Sequence, residues 1–555
     1  MKVLFKKIVP AKIRQHPKIM HLRLWLNFIF IIKGRLKSQL SIKHIKDESS
    51  IKKRSKRILI PLIETSHYQH YQLLVIAKAL ELRGAEVKIL ICGQFLDGCE
   101  IKTSKNEELN DPCYECRFNE KNTLPMFNLD VIRLNDFITD DLKIEFKNEA
   151  QAVIESNGTS LTRHGIVLDQ SIDNSIIRYY YGGIPQNKAL VKKVRFDHTV
   201  TAMISAEIAY KIDREWSPEI VFNNMYSYSA WEPMFEYYNV NGNRSNSVSI
   251  NNFNYNGLVV NTPELFQTTK RYKKYVAWRN NKRLNKKETR VLWEFFQDRI
   301  DGNTRFFKDY NYFINSESDM PIQKLLNIDK KKRNLFLFSN VFWDIGISSH
   351  SKLFDGVIDW ILQTIEIVKY QEEKVHLYIK PHPGEKNNSL SSSTGIADII
   401  EKDYPELPAN ITIIDPDLNI NTYNLFPYID LGVMYNGTLG LEMMLSKIPV
   451  VTSGKTTFQG LGFAFEPKTI EEYEKILIDG DSQKIVNQDE IELYAYFYFI
   501  KTMVPFNLTK ETYSNIFSGF MFDSLDELKI GNNKYLDHLC NCIIDPKNTI
   551  IEGWD

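Results

Sequence analysis

The order of apolar and polar positions along the chain predicts an α/β protein. Arg57–Ile63 reads RILIPLI, a continuous apolar run that is typical of a strand buried on both faces. Apolar positions at helical spacing follow over His70–Arg83, Gly84 ends that helix, and Val87–Ile91 again has the pattern of a strand. A strand, a helix and a strand joined by short loops form a βαβ unit, so the two strands are expected to lie parallel in one sheet.

The second half of the chain repeats this alternation more regularly. The predicted strands are Asn334–Ser339, Val375–Lys380, Ile411–Ile414, Asp430–Tyr435 and Pro449–Thr452, and the predicted helices are Lys352–Tyr370, Thr422–Tyr428 and Thr438–Ser446. Such alternation predicts a doubly wound parallel sheet with its ligands at the carboxyl ends of the strands. The charged stretch Asp329–Arg333 is the best candidate for a domain boundary. We therefore expect a basic N-terminal arm (1–56) and two Rossmann-like domains (57–330 and 331–555) that face each other across a cleft. The section from Cys92 to about Thr199 has no clear pattern.

Charge is distributed unevenly along the chain. The formal net charge is +1, but residues 1–57 contain 17 Lys and Arg and only two acidic residues. The apolar stretch Leu22–Ile32 in this arm is too short to span a bilayer, which takes about 20 apolar residues, and it lacks the cleavage site of a signal peptide. A cationic segment with aromatic and aliphatic side chains suits the headgroups of an anionic membrane surface. We therefore expect a cytoplasmic protein attached peripherally to the inner face of the cell membrane. The alternatives are a basic helix packed on the acidic body of the protein, or a disordered leader. Nucleic acid is not an expected partner, because the arm contains no reading motif.

Six cysteines in 555 residues do not form a disulfide scaffold, which indicates a reducing compartment. Four of them lie within 25 residues and are candidates for a tetrahedral structural zinc site: Cys92, Cys99, Cys113 and Cys116. The spacing between the first two is not that of a standard zinc knuckle, so four ordinary reduced thiols are the alternative.

A glycine-rich turn follows the predicted strand Asp430–Tyr435. Glycines allow the backbone to approach a ligand closely, and the helix that follows directs its free N–H groups at whatever binds there. We expect Asn436, Gly437 and Thr438 to hold a phosphate. Glu442, one turn into the helix, could reach ribose hydroxyls. The alternative is an ordinary strand-to-helix turn with a solvated Glu442.

A second candidate site is the sequence KPHPGE at the end of the predicted strand Val375–Lys380. Pro381 and Pro383 hold His382 in an extended, stiff conformation. The imidazole of His382 or the ammonium group of Lys380 could therefore bind a phosphate, and we include Glu385 in the same candidate site. A histidine in a proline turn at the surface, without a ligand, is the alternative.

Candidates for acid–base catalysis follow the first strand. Glu64 or His67 could remove a proton from the hydroxyl of an acceptor that enters from the N-terminal domain. The alternative is a helix cap in which Glu64 is merely exposed. Asp169 is a further carboxylate candidate. The stereochemical course stays open, because a retaining route would need a carboxylate nucleophile that the sequence does not single out.

These motifs together resemble a known family. KPHPGE and NGTLGLEMMLSKIPVVTSGKTTFQGLGF, preceded by FSNVFWD, resemble the capsule polysaccharide biosynthesis glycosyltransferases, a group that includes Kdo transferases. The similarity is clearest over residues 334–465. It implies a GT-B fold, a nucleotide-sugar bound mainly by the C-terminal domain, contact between His382 and the donor phosphate, and no metal or other cofactor in catalysis. The QPP motif of the Kdo-transferring members has no clear counterpart here, so the sugar stays open.

The predicted function is therefore the transfer of a sugar from a nucleotide-sugar donor to a bacterial surface glycan or a lipid-linked glycan. A polyol-phosphate transferase of teichoic-acid type is an alternative. Such enzymes carry a second histidine in the C-terminal phosphate region, and residues 383–537 contain none. A non-catalytic glycan-binding or assembly protein is a second alternative, and a sugar epimerase of similar architecture is a third.

Overall fold

The computed structural model describes the chain in segments. These are residues 56–64, 69–104, 111–156, 160–184, 187–223, 227–241, 246–254, 257–261, 268–301, 321–343, 351, 353–386, 394–415, 418, 420–480, 487–511 and 517–545. The predicted arm before residue 56 and the candidate base His67 lie outside the described residues.

The first part of the chain alternates strands with helices. In chain order its elements are β1 (Arg57–Leu62), α1 (Gln69–Glu81), β2 (Glu86–Ile91), α2 (Tyr114–Asn122), β3 (Asp130–Arg133), α3 (Leu134–Phe137), α4 (Asp140–Glu155), β4 (Thr162–Arg163), β5 (Ile166–Val167), α5 (Asp169–Tyr179), α6 (Lys188–Glu215), β6 (Ile220–Asn223), α7 (Glu232–Val240), β7 (Asn246–Asn254) and β8 (Gly257–Asn261).

The second part begins with helices. In chain order its elements are α8 (Thr268–Arg279), α9 (Lys286–Ile300), α10 (Ile322–Leu325), β9 (Arg333–Phe338), α11 (Val357–Val368), β10 (Val375–Lys380), α12 (Ile396–Asp403), β11 (Ile411–Ile413), β12 (Leu431–Met434), α13 (Leu439–Leu445), β13 (Val450–Thr452), α14 (Ile470–Ile478), α15 (Gln488–Tyr496), β14 (Met503–Pro505), β15 (Thr509–Glu511), β16 (Phe517–Phe520) and α16 (Lys534–Ile544). A π-helical turn, Phe497–Lys501, continues α15.

The first sheet has the strand order β14-β8-β7-β6-β1-β2-β3. Its strands from β3 to β7 are parallel, whereas β8 and β14 are antiparallel to their neighbours. Alternating residues of β1 serve opposite faces: Ile58 and Ile60 pack with α1 and α16, and Leu59 packs with α6 and α7. Both faces of the sheet are covered, which is why β1 is an unbroken apolar run in the sequence.

The second sheet has the order β11-β10-β9-β12-β13, and all its described pairings are parallel. Phe336 and Phe338 of β9 pack on one face with α8, α9, α13 and α15. Leu335 and Leu337 pack on the other face with α11 and α14. Each sheet with its covering helices is one Rossmann-like unit, and these are referred to below as the first and second units.

Packing divides the chain differently from the boundary predicted near residue 330. Helices α8 and α9, which precede that boundary, contribute Tyr275, Leu292 and Phe296 to the core of the second unit. After α15 the chain returns to the first unit, where β14 joins the sheet and α16 packs against α1. The first unit is therefore completed by the C-terminal end of the chain.

The two units touch where the end of α5 in the first unit meets the residues that follow β9 in the second unit. The Arg178 guanidinium lies 4.9 Å from the ring centre of Trp343, and Tyr181 meets the same ring edge-on at 5.1 Å. Gly182, at φ +79°, packs so closely on Phe342 that a Cβ at this position would overlap the phenyl ring. Two Rossmann-like units in contact with each other confirm the predicted fold class. Among the described residues, no helix is both long and apolar enough to cross a membrane.

Candidate functional site

Strand ends of the second sheet bring the two predicted phosphate-binding motifs together. Ser339 and Asn340 directly follow β9, the central strand of this sheet. The Ser339 hydroxyl accepts a hydrogen bond of 2.9 Å from the backbone N–H of His382. The Asn340 side-chain amide donates to the Asn436 carbonyl oxygen Oδ1 at 3.0 Å. Two consecutive residues therefore join motifs that are 54 positions apart in the sequence.

The environment of His382 defines its hydrogen-bonding role. The backbone N–H of Gly384 donates to Nδ1 at 2.9 Å. A backbone N–H can only donate, so Nδ1 is an acceptor and the proton of the neutral ring lies on Nε2. Enclosure by the protein and the nearby Lys380 charge lower the pKa of His382 to about 4, although the ring remains accessible to solvent. At neutral pH the residue thus offers an uncharged Nε2–H donor.

Gly384 is required at its position by this contact. A Cβ on residue 384 would lie 2.9 Å from Nδ1 of His382 and 3.2 Å from a methyl group of Val341. The glycine therefore lets the turn close on the imidazole and fix its tautomer.

Lys380 and Glu385 flank His382 but differ in their surroundings. The Lys380 side chain is buried, and burial lowers its pKa to about 8. Glu385 is buried as well, and its Oε2 accepts a 3.0 Å hydrogen bond from the backbone N–H of Ile396 at the start of α12. Burial raises the pKa of Glu385 to about 7. Lys380 therefore stays a candidate for phosphate binding. Glu385 instead binds the N-terminal end of helix α12.

The glycine-rich turn lies where the sequence predicts. Gly437 has φ +123°, a conformation that side chains with a Cβ rarely adopt, and it is exposed. Thr438 precedes α13, whose first N–H groups have no acceptor within the helix. The contact from Asn340 places this turn beside His382.

Glu442 does not face this turn. Its side chain is only 1% exposed, and its two carboxylate oxygens accept hydrogen bonds from Arg299 of α9 at 2.7 Å and from the Tyr423 hydroxyl at 2.6 Å. Both oxygens are therefore occupied in the core of the second unit. This geometry favours a structural role over the predicted contact with ribose.

On the first unit, the sequence candidates have different environments. Glu64 follows β1 and is half-buried at the carboxyl edge of the first sheet. Asp169 opens α5, and its Oδ2 accepts hydrogen bonds from the Ser160 hydroxyl at 2.8 Å and from the backbone N–H of Leu161 at 3.0 Å. It fixes the short β4–β5 hairpin to α5, which is a structural role and not the catalytic one predicted.

The candidate zinc ligands do not converge. Cys92, Cys99, Cys113 and Cys116 are free thiols. No group of three or more His, Cys, Asp or Glu side chains within the described ranges is arranged to hold a metal ion. The four residues therefore do not fit a tetrahedral zinc site.

A polar network at the carboxyl edge of the first sheet is not predicted by the sequence. The Ser175 hydroxyl of α5 donates to Glu100 Oε1 at 2.8 Å and accepts from the backbone N–H of Ser229 at 2.9 Å. His198 Nδ1 lies 2.8 Å from the Ser229 hydroxyl. Glu100 and His198 belong to the section in which the sequence has no clear pattern, so nothing in the sequence singled them out.

Comparison with known proteins gives the same family as these motifs. Residues 271–493 match the family model described as capsule polysaccharide biosynthesis protein, which includes His382 and the glycine-rich turn. This part of the chain, about two fifths of its length, is thus similar to the capsule polysaccharide biosynthesis family. The match begins within α8, close to where packing places the start of the second unit. The predicted resemblance is thus confirmed. No curated protein is similar enough to count as a match.

Solved structures with a similar fold are distant. The β-Kdo 2,4 transferase of KpsC from Thermosulfurimonas dismutans is 12% identical, with 57% of this chain and 88% of that chain covered and a TM-score of 0.33. The β-Kdo 2,7 transferase of the same protein is 13% identical, with coverages of 52% and 79% and a TM-score of 0.30. A glycosyltransferase from Rickettsia africae is 10% identical, with coverages of 89% and 100% and a TM-score of 0.29. No conclusion about this chain's activity rests on likenesses this weak.

Proposed function

We propose that this protein is a glycosyltransferase that moves a sugar from a nucleotide-sugar donor to a surface polysaccharide of the capsule or lipopolysaccharide type. The observation that carries the proposal is the pairing of the neutral Nε2–H donor of His382 with the turn at Asn436, Gly437 and Thr438. The match of residues 271–493 to the capsule polysaccharide biosynthesis family model supports the class of product.

The donor phosphate would bind at this edge of the second sheet. Nε2 of His382 would donate to a phosphate oxygen, and the ammonium group of Lys380 would supply positive charge. The backbone N–H groups that begin α13 would be further donors at the end of the glycine-rich turn. As the bond to the sugar breaks, these donors would stabilise the charge that develops on the leaving phosphate.

The acceptor would enter from the first unit, whose carboxyl edge faces this site. Contacts of Arg178 and Tyr181 with Trp343 hold the two edges together. A lipid-linked or growing glycan at the inner face of the membrane would suit the cationic arm of residues 1–57.

Nucleotide binding tests the donor site directly. Thermal unfolding is measured with CMP, CDP, UDP and GDP, on the wild type, His382→Ala and a control, His376→Ala. A ligand at 100 times its dissociation constant stabilises the protein by about 2.7 kcal/mol, which is a readable shift. His376 is a matched control, because it lies on the same strand β10 but is bonded to Thr412 and stacked on Tyr378.

We expect at least one nucleotide to raise the unfolding temperature of the wild type and of His376→Ala, but not of His382→Ala. The shift is taken relative to each variant without ligand, so a loss of basal stability in either variant does not affect the comparison. If no nucleotide stabilises the wild type, a non-catalytic glycan-binding protein becomes the better interpretation.

A further inference from the structure

Glu100 lies at the edge of the first sheet where the acceptor would enter. It belongs to the loop that follows β2, and Ser229 belongs to the loop that follows β6. Because β1, β2 and β6 are parallel, both loops and Glu64 leave the sheet at the same edge. Arg178, one turn after Ser175 on α5, reaches from this edge to Trp343 of the second unit. Glu100 therefore lies on the side of the first unit that faces the donor site.

The loop that carries Glu100 is held rigidly. The Thr201 hydroxyl of α6 donates to the carbonyl oxygen of Gly98 at 2.8 Å. A Cβ on Gly98 would lie 2.8 Å from the backbone of Asp197, so the loop and the helix are in direct backbone contact. The ammonium group of Lys102 closes the loop through bonds to the carbonyl oxygens of Leu96 and Asp97, at 2.9 and 2.8 Å. Glu100 thus has a fixed position rather than that of a mobile surface side chain.

Among the described residues, one carboxylate oxygen of Glu100 has a hydrogen-bond partner and the other has none. Oε1 accepts the Ser175 hydroxyl, which is itself held by the backbone N–H of Ser229. Oε2 is shielded from solvent and has no hydrogen-bond partner in the described part of the chain. A buried polar atom without a partner is costly and uncommon. A hydroxyl group of a bound ligand that reached Oε2 would provide the missing hydrogen bond.

The charged and titratable groups around Glu100 act in opposite directions. Burial, first, and then the nearby charge of Glu64 raise the pKa of Glu100 to about 8. The hydrogen bonds from Ser175 and from the backbone N–H of Glu100 itself, and the Arg178 charge, act to lower it. Other titratable residues on this loop and on α6 are Cys99, Lys102, Asp197 and His198. A general base is most effective when its pKa lies near the working pH, and few glutamates meet that condition.

We propose that Glu100 is the general base of the transfer and removes the proton of the acceptor hydroxyl through Oε2. This inference rests on the proposed function. As Oε2 takes the proton, the acceptor oxygen forms its bond to the anomeric carbon of the donor sugar. The bond from that carbon to the donor phosphate breaks, and its electron pair leaves with the phosphate. The acceptor thus presents a sugar hydroxyl to Glu100 at the carboxyl edge of the first sheet, between Glu64 and Ser175.

The test compares the pH dependence of transfer in four proteins. Release of nucleotide from a mixture of CMP-, UDP- and GDP-sugars is measured with purified surface-polysaccharide oligosaccharides as acceptor, for the wild type, Glu100→Gln, Glu64→Gln and Ser175→Ala. Nucleotide-induced stabilisation is measured on the same samples, so folding and donor binding are read independently of transfer.

We expect the wild-type rate to rise with pH to a plateau above about pH 8. Glu100→Gln should lower the rate by roughly 10²- to 10⁴-fold, the range for loss of a general base, with nucleotide stabilisation intact. Glu64→Gln removes a neighbouring negative charge and should move the rise to lower pH. Ser175→Ala removes a donor to the charged form and should move it to higher pH. A merely structural role would not produce shifts of opposite sign.

Two results would overturn the inference. If Glu100→Gln transfers at more than a tenth of the wild-type rate, or if Glu64→Gln abolishes transfer while Glu100→Gln retains the same rise with pH, the base lies elsewhere and the proposed function still stands. If the wild type releases no nucleotide from any of the sugars, the proposed function fails and this inference fails with it.

Discussion

The buried ion pair between Glu442 and Arg299 gives a prediction that separates a structural role from donor binding. The two side chains are 1% and 12% exposed, they are joined at 2.7 Å, and the Tyr423 hydroxyl completes the carboxylate's partners. Glu442→Leu would remove the carboxylate and leave the Arg299 guanidinium buried without its counter-charge.

The expected cost follows from that burial. Removal of one partner of a buried pair typically destabilises a protein by about 3–5 kcal/mol, because the remaining charge is uncompensated. For a unit of this size, each kcal/mol lowers the unfolding temperature by roughly 2–4 °C, so the transition should fall by roughly 6–20 °C. Replacement of both partners by apolar residues, Glu442→Leu with Arg299→Met, should recover most of the loss.

Thermal unfolding of the two variants and of Glu474→Leu measures this effect. Glu474 is a matched control, because it is an exposed glutamate on helix α14 of the same unit. Its replacement should change the stability by no more than about 0.5 kcal/mol. The reasoning is refuted if Glu442→Leu unfolds at the wild-type temperature but no longer responds to nucleotide, since the carboxylate would then serve the ligand and not the core.

Four further predictions concern the contact between the units, the Lys380 ammonium group and the cysteines. Gly182→Ala should slow transfer but preserve nucleotide stabilisation, because its Cβ would overlap Phe342. Phe342→Ala in the same protein should restore only part of the rate, since residue 182 keeps φ +79°, which alanine rarely adopts. Nucleotide affinity should fall as the pH rises through about 8, since the Lys380 ammonium loses its proton there; calorimetry on Lys380→Arg, which stays charged, should show no such fall. The same depressed pKa makes the unfolded chain bind more protons between about pH 8 and 10.5, so the Lys380 contribution to stability should rise with pH in that window. Cys113→Ser and metal chelation should leave the unfolding temperature unchanged; one zinc ion per chain by mass spectrometry would contradict this.

Strands such as β1 and β10 could be predicted because their residues are mostly apolar and buried. Strands β3 and β7 could not, because DVIR and NSVSINNFN are rich in polar residues. The run RILIPLI corresponds to β1, and VHLYIK corresponds to β10 at the same residues as predicted. No comparable pattern marks α6, a helix of 28 residues. Its middle is buried on several sides and contains polar residues that are satisfied elsewhere, such as Thr201 on the Gly98 carbonyl and Ser205 on the Ala230 carbonyl. Buried polar residues obscure the periodicity on which helix prediction depends.

In the candidate site, too, some features could be predicted from the sequence and others could not. His382 and Asn436 could be predicted because each follows a strand directly, and the carboxyl ends of parallel strands meet at one edge. The burial of Glu442 could not, because it depends on Arg299, 143 positions earlier. Glu100 depends likewise on Ser175, 75 positions away, on an element that the sequence did not reveal. Roles set by distant partners are a property of the fold and not of a local motif.

The path of the chain explains how the two edges meet. The chain passes between the units after β8 and again before β14, and these two strands are neighbours in the first sheet. The Phe497 ring, at the second passage, lies 5.4 Å from that of Tyr275 and 5.2 Å from that of Trp278 on α8, so the passages are packed together. Units joined by two connections can rotate about them, as in hinge closure around a ligand. If transfer requires such closure, a side chain at residue 182 that overlaps Phe342 will slow transfer without weakening nucleotide binding.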